Sequence, residues 1–459
     1  MTTGIYCRPG CGGRPHPGNV KAYSLAAAAE ADGFRACLRC RPYRSSQAIS
    51  WTGSELVCRA VQMITDGALD GRTEDQLASR LGVSGRHLRR LFGRELGLTP
   101  DELARSRRAH FARRLLDDTD LSVTDVAFAA GFGSVRQLNR ACHDIFRAPP
   151  GELRARRRVT DRLVADGGLS LRLPYAGPLD WDALLRYFRA RAIPGVESVD
   201  GDTYRRTVVV DGDPGVLELG PGGPAHLLLR VHLPHWEHLI HLVQRARRIA
   251  SLDFDLDGPV AQLAADRVIG PLVTAHPGRR PPGTWDPFET GVRAIIGQQV
   301  SVSGATTITG RLVARLGTPV PGLGSMGLTH TFPEPDVVAT ADLTGLGLTR
   351  SRQAGIRAFA GSVLNGDVRL DRSTGLADLV GSMVAIPGLG PWTAHYIALR
   401  LGEPDAFPAT DLGVRRVLAA AGGVPDEPLD GRWRPWRALA TTHLWAAGED
   451  LAKQAAESR

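Results

Sequence analysis

Two glycines, Gly388 and Gly390, lie between two segments with helical periodicity, LADLVGSMVAI and WTAHYIALRL. Glycine at these positions lets the backbone turn tightly, and it exposes N–H groups at the start of the second helix. A helix N-terminus of this kind attracts a phosphate group without reading a base. The pattern therefore predicts a helical hairpin that binds a nucleic-acid backbone at Gly388 and Gly390.

A single carboxylate, Asp411, follows the second helical segment after a turn that contains a proline. Three aromatic residues, Trp392, Tyr396 and Trp445, are candidates to line a pocket near it. The hairpin, the carboxylate and the rings together resemble the helix-hairpin-helix DNA glycosylases of the alkylation-repair type called AlkA. Without that resemblance, Asp411 is equally well explained as a helix N-cap and the rings as core residues.

The resemblance implies a positively charged substrate base. A base alkylated on N3 or N7 is a cation, and electron-rich ring faces attract it once it is flipped out of the duplex. Trp392, Tyr396 and Trp445 match the pocket positions of the family. Asp411 matches the carboxylate that stabilises the oxocarbenium-like sugar and orients the water.

The absence of lysine and of cysteine from most of the chain indicates which type of glycosylase to expect. No lysine occurs between Lys21 and Lys453, so no Schiff-base nucleophile stands in the hairpin and a monofunctional glycosylase is expected. No cysteine follows Cys142, so the iron–sulfur loop of some hairpin glycosylases is not expected. A nucleotide cofactor is not expected either.

The segment DPFETGVRAIIGQQV is predicted to form a helix that bends at Gly297, next to Gln298 and Gln299. In the AlkA-type family a residue at the second of these two positions enters the gap left by the flipped nucleotide. Gln298 and Gln299 are therefore candidate DNA contacts, with Gln299 as a polar wedge. The alternative is an ordinary polar helix turn.

Four cysteines near the N-terminus form two close pairs separated by a loop. Cys7 and Cys11 have the spacing C-x3-C, and Cys37 and Cys40 have the spacing C-x2-C. Two such pairs suit one tetrahedral zinc ion with four cysteine ligands, and the alternative is four unrelated buried thiols.

The segment around these cysteines resembles the N-terminal zinc domain of the adaptive-response regulator Ada, although the family's domain extends further at its N-terminal side. The resemblance implies that Cys7 is both a zinc ligand and a nucleophile, which takes a methyl group from a methylphosphotriester in DNA. Thr3, Arg14 and Arg35 match positions that hold the phosphate, but they are also ordinary surface residues.

Two helix-turn-helix patterns follow in tandem, in residues 73–96 and 124–146. Gly82 forms the turn of the first unit, and Ser84 can cap its second helix. The repeat, with its AGFGS stretch, resembles the AraC-type regulator domain. The side chains expected to face the major groove are Arg86, Arg89, Arg90, Arg136, Gln137, Asn139 and Arg140.

The positive charge of the chain is concentrated in its N-terminal third. Residues 1–158 contain 26 Arg and Lys against 16 Asp and Glu, whereas the remainder contains 30 against 32. A basic surplus in one region is typical of nucleic-acid binding, and the alternative is a solubilising surface.

The sequence thus predicts a multidomain chain: a small four-cysteine zinc domain (1–44), an all-α tandem helix-turn-helix domain (50–155), an α+β domain (168–285) and an all-α helix-hairpin-helix glycosylase domain (286–459). In residues 168–285 strand patterns alternate with two amphipathic helices, and the resemblance assigns this part a buttressing role.

The predicted function is DNA alkylation repair and its regulation, with methylation of Cys7 raising transcription of repair genes. The alternative is a transcriptional regulator whose C-terminal half only binds DNA. The expected partners are alkylated and promoter double-stranded DNA, and RNA polymerase. A cytoplasmic location is expected because the sequence shows no membrane span or signal segment. A monomer is expected as well.

Overall fold

The computed structural model describes residues 4–13, 16–45, 53–163, 167–421 and 431–457. The chain divides into two compact units, Met1–Ala176 with Gly222–Ala246, and Gly177–Pro221 with Arg247–Arg459. Within the described ranges, no helix combines the length and the apolar character needed to cross a bilayer.

Two short strands organise the N-terminal segment of the first unit. β1 (Ile5–Tyr6) and β2 (Arg35–Ala36) pair in parallel, and the Cys37 N–H donates to the Tyr6 carbonyl at 3.0 Å. One cysteine pair follows each strand, so the strand pairing brings the two pairs to the same end. A short helix, α1 (Ala26–Ala31), lies between the strands in sequence and buries three alanines.

Seven helices follow and form two helix-turn-helix units in tandem, as predicted. In the first unit Thr73 and Gln76 form a reciprocal capping box, and Gly82 turns the chain with φ +74°. Ser84 caps the second helix by accepting from the His87 N–H at 3.2 Å. The helices are α2 (Glu55–Thr65), α3 (Glu74–Arg80), α4 (Gly85–Leu96), α5 (Pro100–Asp118), α6 (Val123–Ala129), α7 (Val135–Phe146) and α8 (Pro150–Ala155).

The apolar faces of these helices are buried. Leu77, Leu88 and Phe92 of the first unit are fully enclosed, and so is Leu138 of the second. Two cysteines outside the N-terminal cluster, Cys58 and Cys142, are buried thiols.

A five-stranded sheet has the strand order β3-β7-β6-β5-β4. β3 pairs antiparallel with β7, with Leu171 opposite Leu229, and β5 pairs antiparallel with β4 and with β6. The α+β prediction is confirmed, although the short strand β4 was not anticipated. The elements are β3 (Leu169–Pro174), α9 (Trp181–Arg191), β4 (Glu197–Asp200), β5 (Thr203–Val210), β6 (Asp213–Gly223), β7 (His226–His232) and α10 (Leu239–Ile249).

The helices that follow α10 in sequence belong to the second unit. Phe288 and Ile295 of α13 are buried, and Phe288 stacks on Phe359 of α16 with 5.8 Å between ring centroids. The helices are α11 (Asp257–Leu263), α12 (Ile269–Ala275), α13 (Pro287–Ile296), α14 (Val302–Leu316), α15 (Pro335–Thr340), α16 (Arg350–Asn365), α17 (Leu376–Val384), α18 (Pro391–Leu401), α19 (Leu412–Ala420) and α20 (Arg437–Glu457).

Candidate functional site

Helices α17 and α18 form the predicted hairpin. Gly388 has φ +89°, a conformation that residues with a side chain rarely adopt. The buried Leu389 anchors the turn between them. Gly390 is the N-cap of α18 and has no side chain to cap the first-turn N–H groups, which suits this end of the helix to a phosphate.

The two glutamines after α13 are held differently. The Gln298 side chain donates to the Gly388 carbonyl at 3.1 Å and to the Thr393 hydroxyl at 2.9 Å, so it fastens the bend to the hairpin. Gln299 is exposed and has a left-handed backbone with φ +55°. Of the two, Gln299 is therefore the one whose side chain projects from the surface beside the hairpin.

Asp411 uses its two carboxylate oxygens for different purposes. Oδ1 accepts from the N–H groups of Gly413 at 2.8 Å and Val414 at 3.1 Å, which makes Asp411 the N-cap of α19. Oδ2 accepts from the indole N–H of Trp392 at 2.9 Å. The cap therefore fixes the carboxylate and turns its second oxygen toward an aromatic ring.

The three predicted rings stand next to one another. Trp392 and Tyr396 are stacked with centroids 5.4 Å apart, and Tyr396 and Trp445 are 5.8 Å apart with their planes tilted by 49°. All three rings and Asp411 line one cavity of about 830 Å³. Trp433 is buried against other residues and is not among those that line this cavity.

The wall of the same cavity also contains residues of the α+β segment and of α13, which the sequence did not indicate. Four of them form a buried ion network. Arg206 donates to Glu289 at 2.7 Å, and Arg293 donates to Glu197 and to Glu289 at 3.3 Å each. Burial raises the pKa of Glu289, whereas Arg293 and Arg206 outweigh the effect of burial on Glu197 and hold its pKa low.

Arg400 is a further cavity residue that sequence reasoning missed. Its guanidinium lies 4.9 Å from the ring centroid of Tyr396 and 5.1 Å from that of Trp445. The sequence spacing could have identified Arg400 as a cavity residue. Trp392, Tyr396 and Arg400 follow one another at intervals of four and so share one face of α18.

The four N-terminal cysteines meet in the first unit. Their Sγ atoms all lie within 4.8 Å of one another. Tetrahedral zinc with bonds of about 2.3 Å separates its sulfur ligands by about 3.8 Å, so the donor set fits such an ion after small adjustments. Cys7 is the exposed member of the cluster. Arg35 is partly buried near it, whereas Thr3 and Arg14 lie outside the described residues.

The second helix of each helix-turn-helix unit presents polar side chains to the surface. In α4 Arg86, Arg89 and Arg90 are exposed, and Arg89 pairs with Glu74 at 3.0 Å. In α7 the Asn139 amide donates to the Val135 carbonyl at 3.1 Å, so it is partly engaged within its own helix. The exposed side chains are Arg86, Arg89, Arg90, Arg136, Gln137 and Arg140.

Comparison with known families agrees with this architecture. The chain matches the metal binding domain of Ada over residues 1–43, a helix-turn-helix domain over 77–156, the AlkA N-terminal domain over 170–286, and the HhH-GPD superfamily of base excision DNA repair proteins over 292–432. The hairpin, Trp392, Tyr396 and Asp411 thus lie in the base excision repair match, and the cavity also takes wall residues from the AlkA N-terminal match and from Trp445 beyond both.

Similar proteins share the same combination. A probable bifunctional transcriptional activator/DNA repair enzyme AlkA of Mycobacterium tuberculosis is 40% identical over 464 residues, covering 99% of this chain and 93% of the relative. The chain belongs to this family of bifunctional activator and repair proteins.

Partial relatives match the two halves separately. DNA-3-methyladenine glycosylase 2 of Escherichia coli is 31% identical and covers 60% of this chain and 95% of its own length. The Ada protein of the same organism is 37% identical over 28% of this chain and 36% of its own. The 3-methyladenine DNA glycosylase of Archaeoglobus fulgidus, 20% identical, has the same fold over 61% of this chain and 98% of its own, with a TM-score of 0.53.

Proposed function

We propose that this protein hydrolyses the N-glycosidic bond of alkylated, cationic bases such as 3-methyladenine and couples this repair to transcriptional control. The observation that carries the repair activity is the position of Asp411. Its carboxylate borders the cavity lined by Trp392, Tyr396 and Trp445, and it accepts a hydrogen bond from the Trp392 N–H at 2.9 Å.

In the proposed reaction the hairpin binds a phosphate and the damaged nucleotide is flipped into the cavity, while Gln299 enters the gap in the duplex. Each ring face attracts a cationic base by about 0.5–2 kcal/mol. An alkylated base is already a good leaving group, so the main task is to stabilise positive charge on the sugar. The fixed carboxylate of Asp411 does this and orients the attacking water.

Base release from alkylated duplex DNA tests this proposal against a lesion-binding module without activity. We expect the purified protein to release free 3-methyladenine and leave an abasic site with an uncut strand. Asp411→Asn keeps the helix cap, because Asn caps as well as Asp, but removes the charge. It should slow release by about 100-fold or more.

Asp286→Asn is the matched control. Asp286 is also a helix N-cap and accepts from the Glu289 N–H at 2.9 Å, but it does not line the cavity. This variant should release the base at the wild-type rate. Wild-type protein that binds alkylated DNA and releases no base would favour the regulator alternative.

For the N-terminal cluster we propose single-turnover methyl acceptance at Cys7. Cys7, Cys11, Cys37 and Cys40 would hold one zinc ion, which keeps the thiols deprotonated at neutral pH. The Cys7 sulfur attacks the methyl carbon of a methylphosphotriester. A sulfur–carbon bond forms, the carbon–oxygen bond breaks, and the phosphodiester leaves with its negative charge. Arg35, with Thr3 and Arg14, would hold that phosphate.

Methylation changes the charge of the cluster from −2 to −1 when zinc is bound, which reduces repulsion from DNA. Stronger DNA binding by α4 and α7 would then favour promoter occupancy and contact with RNA polymerase. A cytoplasmic location suits partners of this kind, and we propose that the protein acts there as a monomer. Mass spectrometry after incubation with methylated DNA should show one added methyl group on Cys7, and an unchanged mass contradicts the sensor role.

A further inference from the structure

Arg400 puts a buried positive charge against the rings that would hold the base. Its side chain is 3% exposed, and its guanidinium lies 4.6 Å, 4.9 Å and 5.1 Å from the ring centroids of Tyr187, Tyr396 and Trp445. A cationic base held by Tyr396 and Trp445 would therefore share the cavity with a permanent cation. Like charges at this distance repel strongly where water is excluded.

In the part of the chain that the structure describes, no carboxylate forms an ion pair with Arg400. One guanidinium nitrogen donates to the Pro282 carbonyl at 3.0 Å, and Nε has no hydrogen-bond partner. Among the described residues no Asp or Glu forms an ion pair with it, whereas the neighbouring Arg206 and Arg293 pair with Glu289 and Glu197. A buried charge requires a partner, and Tyr396, whose ring centroid lies 4.9 Å from the guanidinium, is a titratable residue one helical turn before Arg400.

The charged and titratable groups around Tyr396 come from three helices. Arg400 approaches from α18, Tyr187 and Arg191 from α9, and Arg293 from α13. Burial alone would raise the pKa of Tyr396, but Arg400 and Arg191 lower it to about 7. Burial raises the pKa of Tyr187, so Tyr187 stays protonated.

We propose that Arg400 sets the charge preference of the cavity by acting through Tyr396. With Tyr396 ionised, the Arg400–Tyr396 pair is neutral and a cationic base is accepted. With Tyr396 protonated, the guanidinium is uncompensated and disfavours a cationic base, while a neutral damaged base is not penalised. Arg400 is thus a positioning residue, and its role rests on the proposed excision of bases in this cavity.

Tyrosinate absorbance tests the electrostatic part without any requirement for activity. In a pH titration the wild-type protein should ionise one tyrosine near pH 7, well below the ordinary range. Tyr396→Phe should remove this step, Arg400→Gln should move it to high pH, and Arg400→Lys should retain it. A wild-type titration without any step below about pH 9 overturns the inference, whatever the glycosylase activity.

Single-turnover base release tests the functional part with two substrates, 3-methyladenine as the cation and hypoxanthine as a neutral base. In the wild type, release of 3-methyladenine should fall about tenfold from pH 8 to pH 6, because about a tenth of Tyr396 stays ionised at pH 6, and hypoxanthine release should not fall in parallel. Arg400→Gln should abolish this difference and release 3-methyladenine faster than the wild type at pH 6. A purely structural role of Arg400 predicts instead that both bases are released more slowly at both pH values.

The two substrates also separate this inference from the proposed function. Absence of release of either base by the wild type contradicts the proposed function. Release with the same pH profile in the wild type and in Arg400→Gln contradicts the inference alone.

Discussion

The two proposed reactive residues, Cys7 and Asp411, differ in the structural elements that hold them in place. Cys7 is exposed and lies at the end of β1, a strand of two residues, in a cluster whose other members are three more thiols. Asp411 is fixed at the start of a helix and borders a cavity whose lining residues extend from Asp180 to Asp450. The site at Cys7 therefore follows a very short strand, whereas the site at Asp411 is built from residues that are far apart in sequence.

This difference implies different dependences. We expect the cysteine cluster to depend on a metal ion, since structural zinc sites fold on binding. The cavity around Asp411 requires the packing of α13, α18 and α20. We therefore expect that one substitution can abolish the activity of either site and leave the activity of the other site unchanged.

The largest effect is expected from Cys11→Ser. Loss of one of four thiolates should lower the zinc content from about one ion per chain to less than about a tenth, because apparent zinc-binding free energies of about 10–16 kcal/mol depend on the complete ligand set. Methyl transfer to Cys7 should be lost, and base release should be unchanged. Metal analysis by mass spectrometry and the base-release assay measure the two outcomes.

Cys58→Ala serves as the control for Cys11→Ser. Cys58 is a buried thiol away from the cluster, and its replacement should leave the zinc content at the wild-type level. A loss of base release in Cys11→Ser equal to the loss of zinc would contradict the independence of the two sites.

Trp392→Phe should have the next largest effect, on the second site alone. The substitution keeps a ring in the cavity and removes the N–H that donates to Asp411 at 2.9 Å. A hydrogen bond to a charged group contributes about 1.5–3 kcal/mol, so base release should slow by about tenfold or more. Trp436→Phe, which loses an indole N–H bonded to Gln262 at 3.0 Å, is the matched control. Equal rates in the two variants would contradict the role of the Trp392 N–H.

The same contrast between the two sites explains which of their residues could be predicted from the sequence alone. The zinc cluster was predictable because its ligands are four residues of one type in two short motifs. The hairpin, Asp411 and the rings of α18 were predictable because they lie within one stretch of chain. Tyr187, Glu197, Arg206 and Arg293 were not, because no local spacing links α9, β4, β5 and α13. Their meeting depends on tertiary packing, and an arginine in an amphipathic helix has the same local pattern whether it faces solvent or a cavity.

A smaller effect on base release is expected from substitutions of Gln299. These substitutions test whether the Gln299 side chain fills the gap in the duplex. Gln299→Gly suits the left-handed backbone at φ +55° and removes the side chain, so release should slow about threefold to fivefold as the gap in the duplex is filled less well. Gln299→Leu should fill the gap better and release the base faster than Gln299→Gly. Identical single-turnover rates in the wild type and both variants would exclude a wedge at this position.

The smallest effect is expected from Arg86→Ala in the first unit. Loss of one phosphate contact should reduce the slope of log K against log salt by about 0.9 for duplex DNA, with base release unchanged. Arg156→Ala is the control, because Arg156 is exposed but pairs with Glu152 at 3.1 Å. Fluorescence anisotropy at several salt concentrations measures the slopes, and the same slope in both variants would remove Arg86 from the DNA-binding face.

The central claim is that the Asp411 carboxylate stabilises positive charge on the sugar of a flipped nucleotide. Its most direct test compares the affinity of the protein for duplex DNA containing a cationic pyrrolidine abasic-site mimic with its affinity for the neutral tetrahydrofuran mimic. The wild type should prefer the cation by about tenfold or more, and this preference should disappear in Asp411→Asn but persist in Asp286→Asn. An undiminished preference for the cation in Asp411→Asn would contradict the account.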